Sequence, residues 1–168
     1  MKKIMLHIVL LLALSLGAIA SGGAEEKSIL GSYSSDAPIE IASDRLEGND
    51  QTGTAKFSGT VVAKQGDVTI YAEELDVYYQ TGSRLIEKVV ALNGVRIVQG
   101  ERIATGDKAV FFNQQGKVVL TGEPKVHQGQ DFVQGDEITV FLNEERSVVT
   151  GKEGARVNAL FHPQGEKQ

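Results

Sequence analysis

Residues 103–122 read "IATGDKAVFFNQQGKVVLTG" and residues 132–151 read "FVQGDEITVFLNEERSVVTG". The two lie over each other without a gap. Gly106-Asp107 falls on Gly135-Asp136, Phe112 on Phe141, Val119 on Val148, and Thr121-Gly122 on Thr150-Gly151. A chain that says one thing twice within so short a span is built from similar units, and the nature of that unit decides the fold.

The pattern continues upstream. "IASDRLEG" places Asp44 in the role of Asp107, and "IYAEELDVYY" places Glu73 there. Each copy has a small residue, an acid, any residue and then an apolar one, as in the pairs Asp44/Leu46, Glu73/Leu75, Asp107/Ala109 and Asp136/Ile138. Each copy also ends in a glycine, at Gly59, Gly94, Gly122 and Gly151. The second copy carries an insertion around "QTGSRLIEK"; the other three keep the same distance from acid to glycine. A period near 30 residues marks layers that stack, because one such layer cannot bury its apolar face alone.

Local alternation shows what is stacked. In "TAKFSGTVVAK", Ala55, Phe57, Gly59, Val61 and Ala63 share one parity, while Lys56, Ser58, Thr60 and Lys64 share the other. Leu75, Val77 and Tyr79 alternate in the same way, as do Val118, Leu120, Gly122, Pro124 and Val126. That is the signature of half-buried strands. Gln-Gly recurs at 65–66, 99–100, 115–116, 128–129 and 134–135, where the chain must turn. No segment past the N-terminal region sustains a helical period. The reading is about four repeats of short antiparallel strands, three or four per repeat, giving a sandwich, a jelly roll or a short solenoid.

Composition bounds the function. The 168 residues include 19 Gly, 3 Pro and no Cys, with enough apolar residues for one core. Lys2 and Lys3 precede an apolar run from Ile4 to about Ala20, followed by small residues through Ala24. This is the order of a secretory signal peptide. Residues 1–24 are read as cleaved, after Ala20 or Ala24, and 25–37 as a flexible segment. Losing Lys2 and Lys3 takes the net charge from −5 to −7. An acidic chain is a poor partner for nucleic acid or an anionic surface. Without Cys there is no lipid-anchored lipoprotein and no disulfide, so the core alone holds the fold.

The run "PIEIASDRLEGNDQTGTAKFSGTVVAKQGDVTIYAEELDVYY" resembles the opening of the periplasmic lipopolysaccharide-transport protein A family, also called organic-solvent-tolerance A-like. The signals are Pro-Ile-x-Ile, Ser-Asp-x-Leu, Phe-x-Gly-x-Val, Gln-Gly and Ala-[Asp/Glu]-x-Leu, in that order. "LTGEPKVHQGQDFVQGDEITVFL" is similar to the later part. The resemblance covers residues 38–151. It implies an all-β fold, a partly open, twisted β-jelly roll, here at residues 38–161, with 162–168 a disordered tail. It implies a periplasmic carrier that holds lipopolysaccharide by its acyl chains in a groove between sheets. Partners would be lipopolysaccharide, further copies head-to-tail, and the related β-jelly-roll domains of inner-membrane-anchored and outer-membrane components.

Acyl binding needs an apolar interior open along one side. The inward-facing set offers Ile39, Ile41, Leu46, Phe57, Val61, Ile70, Leu75, Val77, Phe111, Leu120, Ile138 and Val140. The family's acyl-contacting isoleucines near the first strand match Ile39 and Ile41. Apolar strand faces are also what an ordinary core looks like. An open roll leaves edges with unpaired backbone groups, expected here at the first strand, with Ile39 and Ile41, and the last, with Arg156, Val157 and Leu160. Joining last strand to first would be β-augmentation, a contact that need not close on itself.

Other readings of the chemistry are weaker. Asp44, Glu73, Asp107 and Asp136 sit beside small residues at strand junctions, where acids cap turns. Beyond the N-terminal segment the histidines are His127 and His162, with no companions at metal spacing. No Gly-x-Ser-x-Gly and no Gly-Lys-Ser/Thr loop appears. The expectation is therefore no catalytic residue, no metal and no cofactor. Two rivals stay open: the membrane-anchored sister component of the same pathway, and a polymerising β-solenoid that binds no lipid.

Overall fold

A computed structural model describes residues 37–162 apart from 143 and 145. The expected signal peptide, nearly all of the segment up to residue 37, and the tail from 163 lie outside the described residues. Those described form strands and turns with no helix. The strands are β1 (Ile39–Ala42), β2 (Arg45–Asn49), β3 (Thr54–Gln65), β4 (Val68–Tyr79), β5 (Ile86–Gln99), β6 (Arg102–Phe112), β7 (Lys117–Thr121), β8 (Lys125–Gln128), β9 (Asp131–Gln134), β10 (Glu137–Phe141), β11 (Arg146–Thr150) and β12 (Asn158–Leu160). All pairings are antiparallel, within one 12-stranded sheet.

That sheet is folded across its middle. On one side of the fold β1 pairs with residues 62–65 of β3, and the ladder runs on through 68–71 of β4, 95–99 of β5 and 102–106 of β6 to β8, β9 and β12. On the other side β2 pairs with 54–58 of β3, and the ladder continues through 74–79 of β4, 86–92 of β5 and 108–112 of β6 to β7, β10 and β11. Two leaves thus share four strands. The sequence suggested only short strands; β3 to β6 run 11–14 residues because they bend at the fold instead of stopping there.

The bend is where register slips. Pairing shifts between Ser58 and Val61, between Tyr71 and Glu74, and between Leu92 and Val95. An extra residue on β3 and on β5 is a β-bulge, which bends a strand and increases its twist. Left-handed backbone appears at these places: Gly59 (φ 77), Thr60 (φ 46), Asn93 (φ 65) and Gly94 (φ 64). Gly122 (φ 76) and Glu123 (φ 54) make the equivalent corner between β7 and β8.

In two of the four copies the repeated acid and glycine meet at this corner. Asp44 N–H donates to the Gly59 carbonyl at 3.0 Å, and Asp107 N–H to the Gly122 carbonyl at 3.1 Å. Asp136 N–H donates to Thr150 O at 2.8 Å, and Asp136 Oδ2 accepts from Lys152 N–H at 2.6 Å. The acid side chains lie over the glycines: a Cβ on Gly59 would sit 2.3 Å from Asp44 Oδ2, and one on Gly122 2.5 Å from Asp107 Cβ. The small residue before the acid has its own cause. A Cβ on Gly106 would come within 2.9 Å of Thr121 O, and one on Gly135 within 2.7 Å of Thr150 O. This last glycine shows why Gln134-Gly135 differs from the other Gln-Gly pairs. Gly66, Gly100, Gly116 and Gly129 take positive φ in turns between strands, whereas Gly135 belongs to the fold line.

The core begins at that line and extends between the leaves. Val61, Leu75, Val95, Leu120, Ile138 and Val140 are almost wholly buried, and they draw on both leaves. Burying each is worth about 1.5–3 kcal/mol. Alternation survives the bend on β3, where Phe57 and Val61 both face the core. On β4 it does not: Ala72 and Leu75, three residues apart, are both buried.

The corner predicts a difference between two glycine substitutions. Gly122→Ala and Gly82→Ala both place a Cβ on left-handed backbone, but nothing lies within 4 Å of the second. Gly82→Ala should cost about 1 kcal/mol, from backbone alone, and Gly122→Ala clearly more. Equal urea midpoints for the two variants would show that the acid-over-glycine contact contributes nothing.

Candidate functional site

Between them the leaves enclose a cavity of about 670 Å³. One wall is built by Ile39, Ile41, Ala63, Val68, Ile70 and Ile97; the other by Phe57, Leu75, Val77, Tyr79, Val89, Ala91, Ala109, Phe111 and Val118. Its walls are apolar because inward positions on both leaves carry aliphatic and aromatic residues. The polar residues among its lining are Lys64, Gln65, Gln99, Arg84 and Asn113, all at strand ends or in turns. Gln99 is buried, and its Nε2 donates to Asp67 Oδ2 at 3.0 Å. Gln65 Nε2 donates to the Ala37 carbonyl at 3.0 Å, tying the start of the described chain to the strand beside β1.

Seven of the twelve residues expected to hold acyl chains line this cavity: Ile39, Ile41, Phe57, Ile70, Leu75, Val77 and Phe111. Five do not. Val61, Leu120, Ile138 and Val140 are at most 2% exposed and belong to the closed core, Val140 beyond the lining residues Phe111 and Val118 in the same register row. Leu46 is 59% exposed, because β2 is an edge strand with nothing packed beyond it. Tyr79, Val89, Val118, Leu85, Ile86 and Leu142 line the cavity without having been singled out from sequence. Tyr79 and Val118 belong to the alternating sets read from sequence, and Val89 shares the inward parity of β5, so alternation could have placed all three among the acyl-binding set. Leu85 belongs to the insertion in the second repeat. That insertion is a turn at the cavity mouth, with Gln80 N–H donating to Leu85 O at 2.9 Å and Leu85 N–H to Ser83 Oγ at 3.1 Å.

The expected edges are placed as follows. β1 and β2 end the two leaves on one side of the molecule, and β12 and β11 end them on the other. Ile39 and Ile41 are in β1 and Leu160 is in β12, whereas Arg156 and Val157 precede β12 and lie outside any strand. β12 is held by a terminal clamp. His162 N–H donates to Asp131 Oδ1 at 2.9 Å, and the His162 ring Nδ1 lies 2.8 Å from the same oxygen. The hydrogen bond from His162 holds the Asp131 carboxyl below its ordinary pKa of 3.8.

The remaining charges do not gather on the cavity. Lys56, Glu74 and Asp76 lie on the outer face of β3 and β4, with Lys56 Nζ 2.5 Å from Glu74 Oε1. The Glu74 hydrogen bond raises the Lys56 pKa, and burial raises that of Asp76. Asp44, Glu73, Asp107 and Asp136 follow one another along the fold line without converging. Among the described residues no group of three or more His, Asp or Glu could hold a metal ion.

Packed and open regions predict opposite phenotypes. Leu120→Ala should cost about 2–5 kcal/mol of stability, since it opens a void in a closed core. Ile41→Ala, at the open wall, should cost under about 1 kcal/mol yet reduce uptake of an apolar fluorescent dye. Chemical denaturation and dye titration of the two variants give the comparison; a severe loss of stability in the second would mean the wall is ordinary core.

Comparison with known proteins agrees with this architecture. Residues 40–146 match the family described as LptA/(LptD N-terminal domain) LPS transport protein. An uncharacterized protein of Rhizobium meliloti (strain 1021) is 32% identical over 97 residues, covering 54% of this chain. The chain spans about half of that relative, 52% of its length. Among solved structures, the fold is similar to LptH, the LptA homologous periplasmic component of the conserved lipopolysaccharide transport device from Pseudomonas aeruginosa, with a TM-score of 0.67 at 21% identity, over 76% of this chain and 96% of that one. The twelve-strand folded sheet and the sequence match over residues 40–146 agree, and this chain belongs to the LptA/LptD N-terminal domain family of lipopolysaccharide transport proteins.

Proposed function

We propose that this protein is a periplasmic carrier that takes lipopolysaccharide by its acyl chains into the cavity between the leaves. The observation that carries the reading is that cavity: about 670 Å³, apolar on both walls, and bordered by the edge strand β1. Family membership supports the substrate. The basic and apolar order of residues 2–24 supports export.

Energetics favour shallow seating. Burying one CH₂ is worth about 0.8 kcal/mol, so a twelve-carbon chain fully buried gives roughly 9 kcal/mol. Several such chains would approach the ceiling of any non-covalent complex and would not be released. An open groove that covers each chain in part keeps transfer possible. Between identical copies such a transfer is nearly neutral in free energy, and the drive comes from another component.

The edges support a bridge. β12 of one copy beside β1 of the next, with β11 beside β2, would continue both leaves and the cavity between them. Such an interface is heterologous and grows as a line. Both terminal strands at each end are exposed, as free edges must be.

Photo-crosslinkers at Ile41 and Phe57 should capture radiolabelled lipopolysaccharide, while one at Leu46, outside the cavity, should capture much less. Label at neither cavity position in a folded protein would favour a lipid-free polymer. Deleting the chain after Gly151 removes β12 and should abolish concentration-dependent oligomers by light scattering while leaving the β signal intact. The clamp at β12 adds a pH dependence. Because the Asp131 pKa is lowered, its contact with His162 is fully present above about 3.8 and is lost as pH falls through the lower folded value. Amide exchange at Ala159 and Leu160 should therefore accelerate in strong acid, and Asp131→Asn should remove that step.

A further inference from the structure

One register row crosses six adjacent strands on the outer face of the leaf formed by β2, β7, β10 and β11. Tyr78 pairs with Lys88, Lys88 with Phe112, Phe112 with Lys117, Lys117 with Phe141, and Phe141 with Arg146. Aromatic and cationic residues alternate without interruption. Each cation covers a neighbouring ring: Lys88 Nζ lies 4.4 Å from the Tyr78 centroid, Lys117 Nζ 5.0 Å from Phe112, and Arg146 Cζ 4.0 Å from Phe141. Cross-strand pairs of this kind stabilise a sheet. Stability alone does not require three of them in one line on an acidic protein. Adjacent strands are 4.7–4.9 Å apart, so the cations follow one another at about 9.5 Å.

The row lies at the lip of the cavity. Its immediate sequence neighbours Tyr79, Val89, Phe111 and Val118 line the apolar wall, so each strand end is apolar inside and cationic or aromatic outside. Arg84, in the turn beyond β4, lines the mouth itself. Among the described residues Arg84, Lys88 and Lys117 make no ion pair, and Arg146 is bonded to Glu144 at 3.0 Å. Such cations sit where the head of a lipid must emerge if its chains occupy the cavity.

Resting on the carrier reading, we infer that this aromatic–cation row binds the phosphate-bearing head of the same lipid molecule whose chains enter the cavity. Lys is a compact point charge suited to phosphate. A ring beneath each ammonium fixes its position while leaving its donors free. The row thus selects phosphorylated amphiphiles over neutral ones of equal chain length, which the apolar walls cannot do.

The test titrates the protein, as its cell makes it, with two probes: bis-phosphorylated lipid A and the same lipid fully dephosphorylated. Lys88→Gln with Lys117→Gln should weaken the phosphorylated probe about tenfold, and change the dephosphorylated one less than about twofold. Its salt sensitivity should fall in parallel. Lys108→Gln, on the same leaf but near the fold line, should change neither. Equal losses for both probes, no loss for either, or the same loss from Lys108→Gln overturns the proposal. So does a double variant that keeps its lipid A affinity but no longer sediments with phosphatidylglycerol vesicles, because the row would then address a bilayer. Dephosphorylated lipid binding by the unmodified protein separates the two ideas: its presence upholds the cavity as the chain site even if the row fails, and its absence removes both.

Discussion

The contact between an acid and a glycine at the fold line sets everything else in place. A twelve-stranded antiparallel sheet left flat would have two exposed faces and no interior. Bending it requires left-handed backbone at defined points, and then something to hold the bent strands in register. The glycines at 59 and 122 supply the first, and Asp44 and Asp107, lying over them, supply the second. In these two copies the acid of one segment rests on the glycine of the next, and the bend between them carries from strand to strand through β3 to β6.

Place in the sheet divides residues of the same chemistry into two roles. Leu120, Ile138 and Val140, on β7 and β10, are closed off from solvent. Ile41, Ile70 and Phe111, on β1, β4 and β6, face a void, although Phe111 lies in the same register row as Val140. Nothing in the side chains distinguishes the groups; a buried isoleucine in one place is core and in another is wall. The cavity's apolar character thus follows from the same alternation that builds the core.

Much of this was legible in the chain. The repeat announced the layers, the Gln-Gly pairs marked most of the turns, and the constant spacing of Asp44 to Gly59 and Asp107 to Gly122 is now a direct contact. The bulges were not legible, since Ser58-Gly59-Thr60 reads as one continuous alternating strand. For the same reason the switch of parity between Ala72 and Leu75 was hidden, and with it the separation of wall from core. The row from Tyr78 to Arg146 could not be seen at all. Its members sit on six strands, and only the register of all of them brings Lys88, Phe112 and Lys117 into line. The insertion around Ser83 was visible, yet only the structure shows that it ends at the cavity mouth.

The four strands that pass through both leaves have a mechanical implication. Covalent backbone crosses the bend in each of these four strands and again in the links β1–β2, β7–β8, β9–β10 and β11–β12, so the leaves cannot slide past each other or come apart. What they can do is flex, and compliance is concentrated where the ladder already lacks regular bonds, at residues 59–60 and 93–94. The molecule resembles a sprung clip: a change of angle between its leaves at the bend requires no strand to leave its neighbours and no loss of secondary structure.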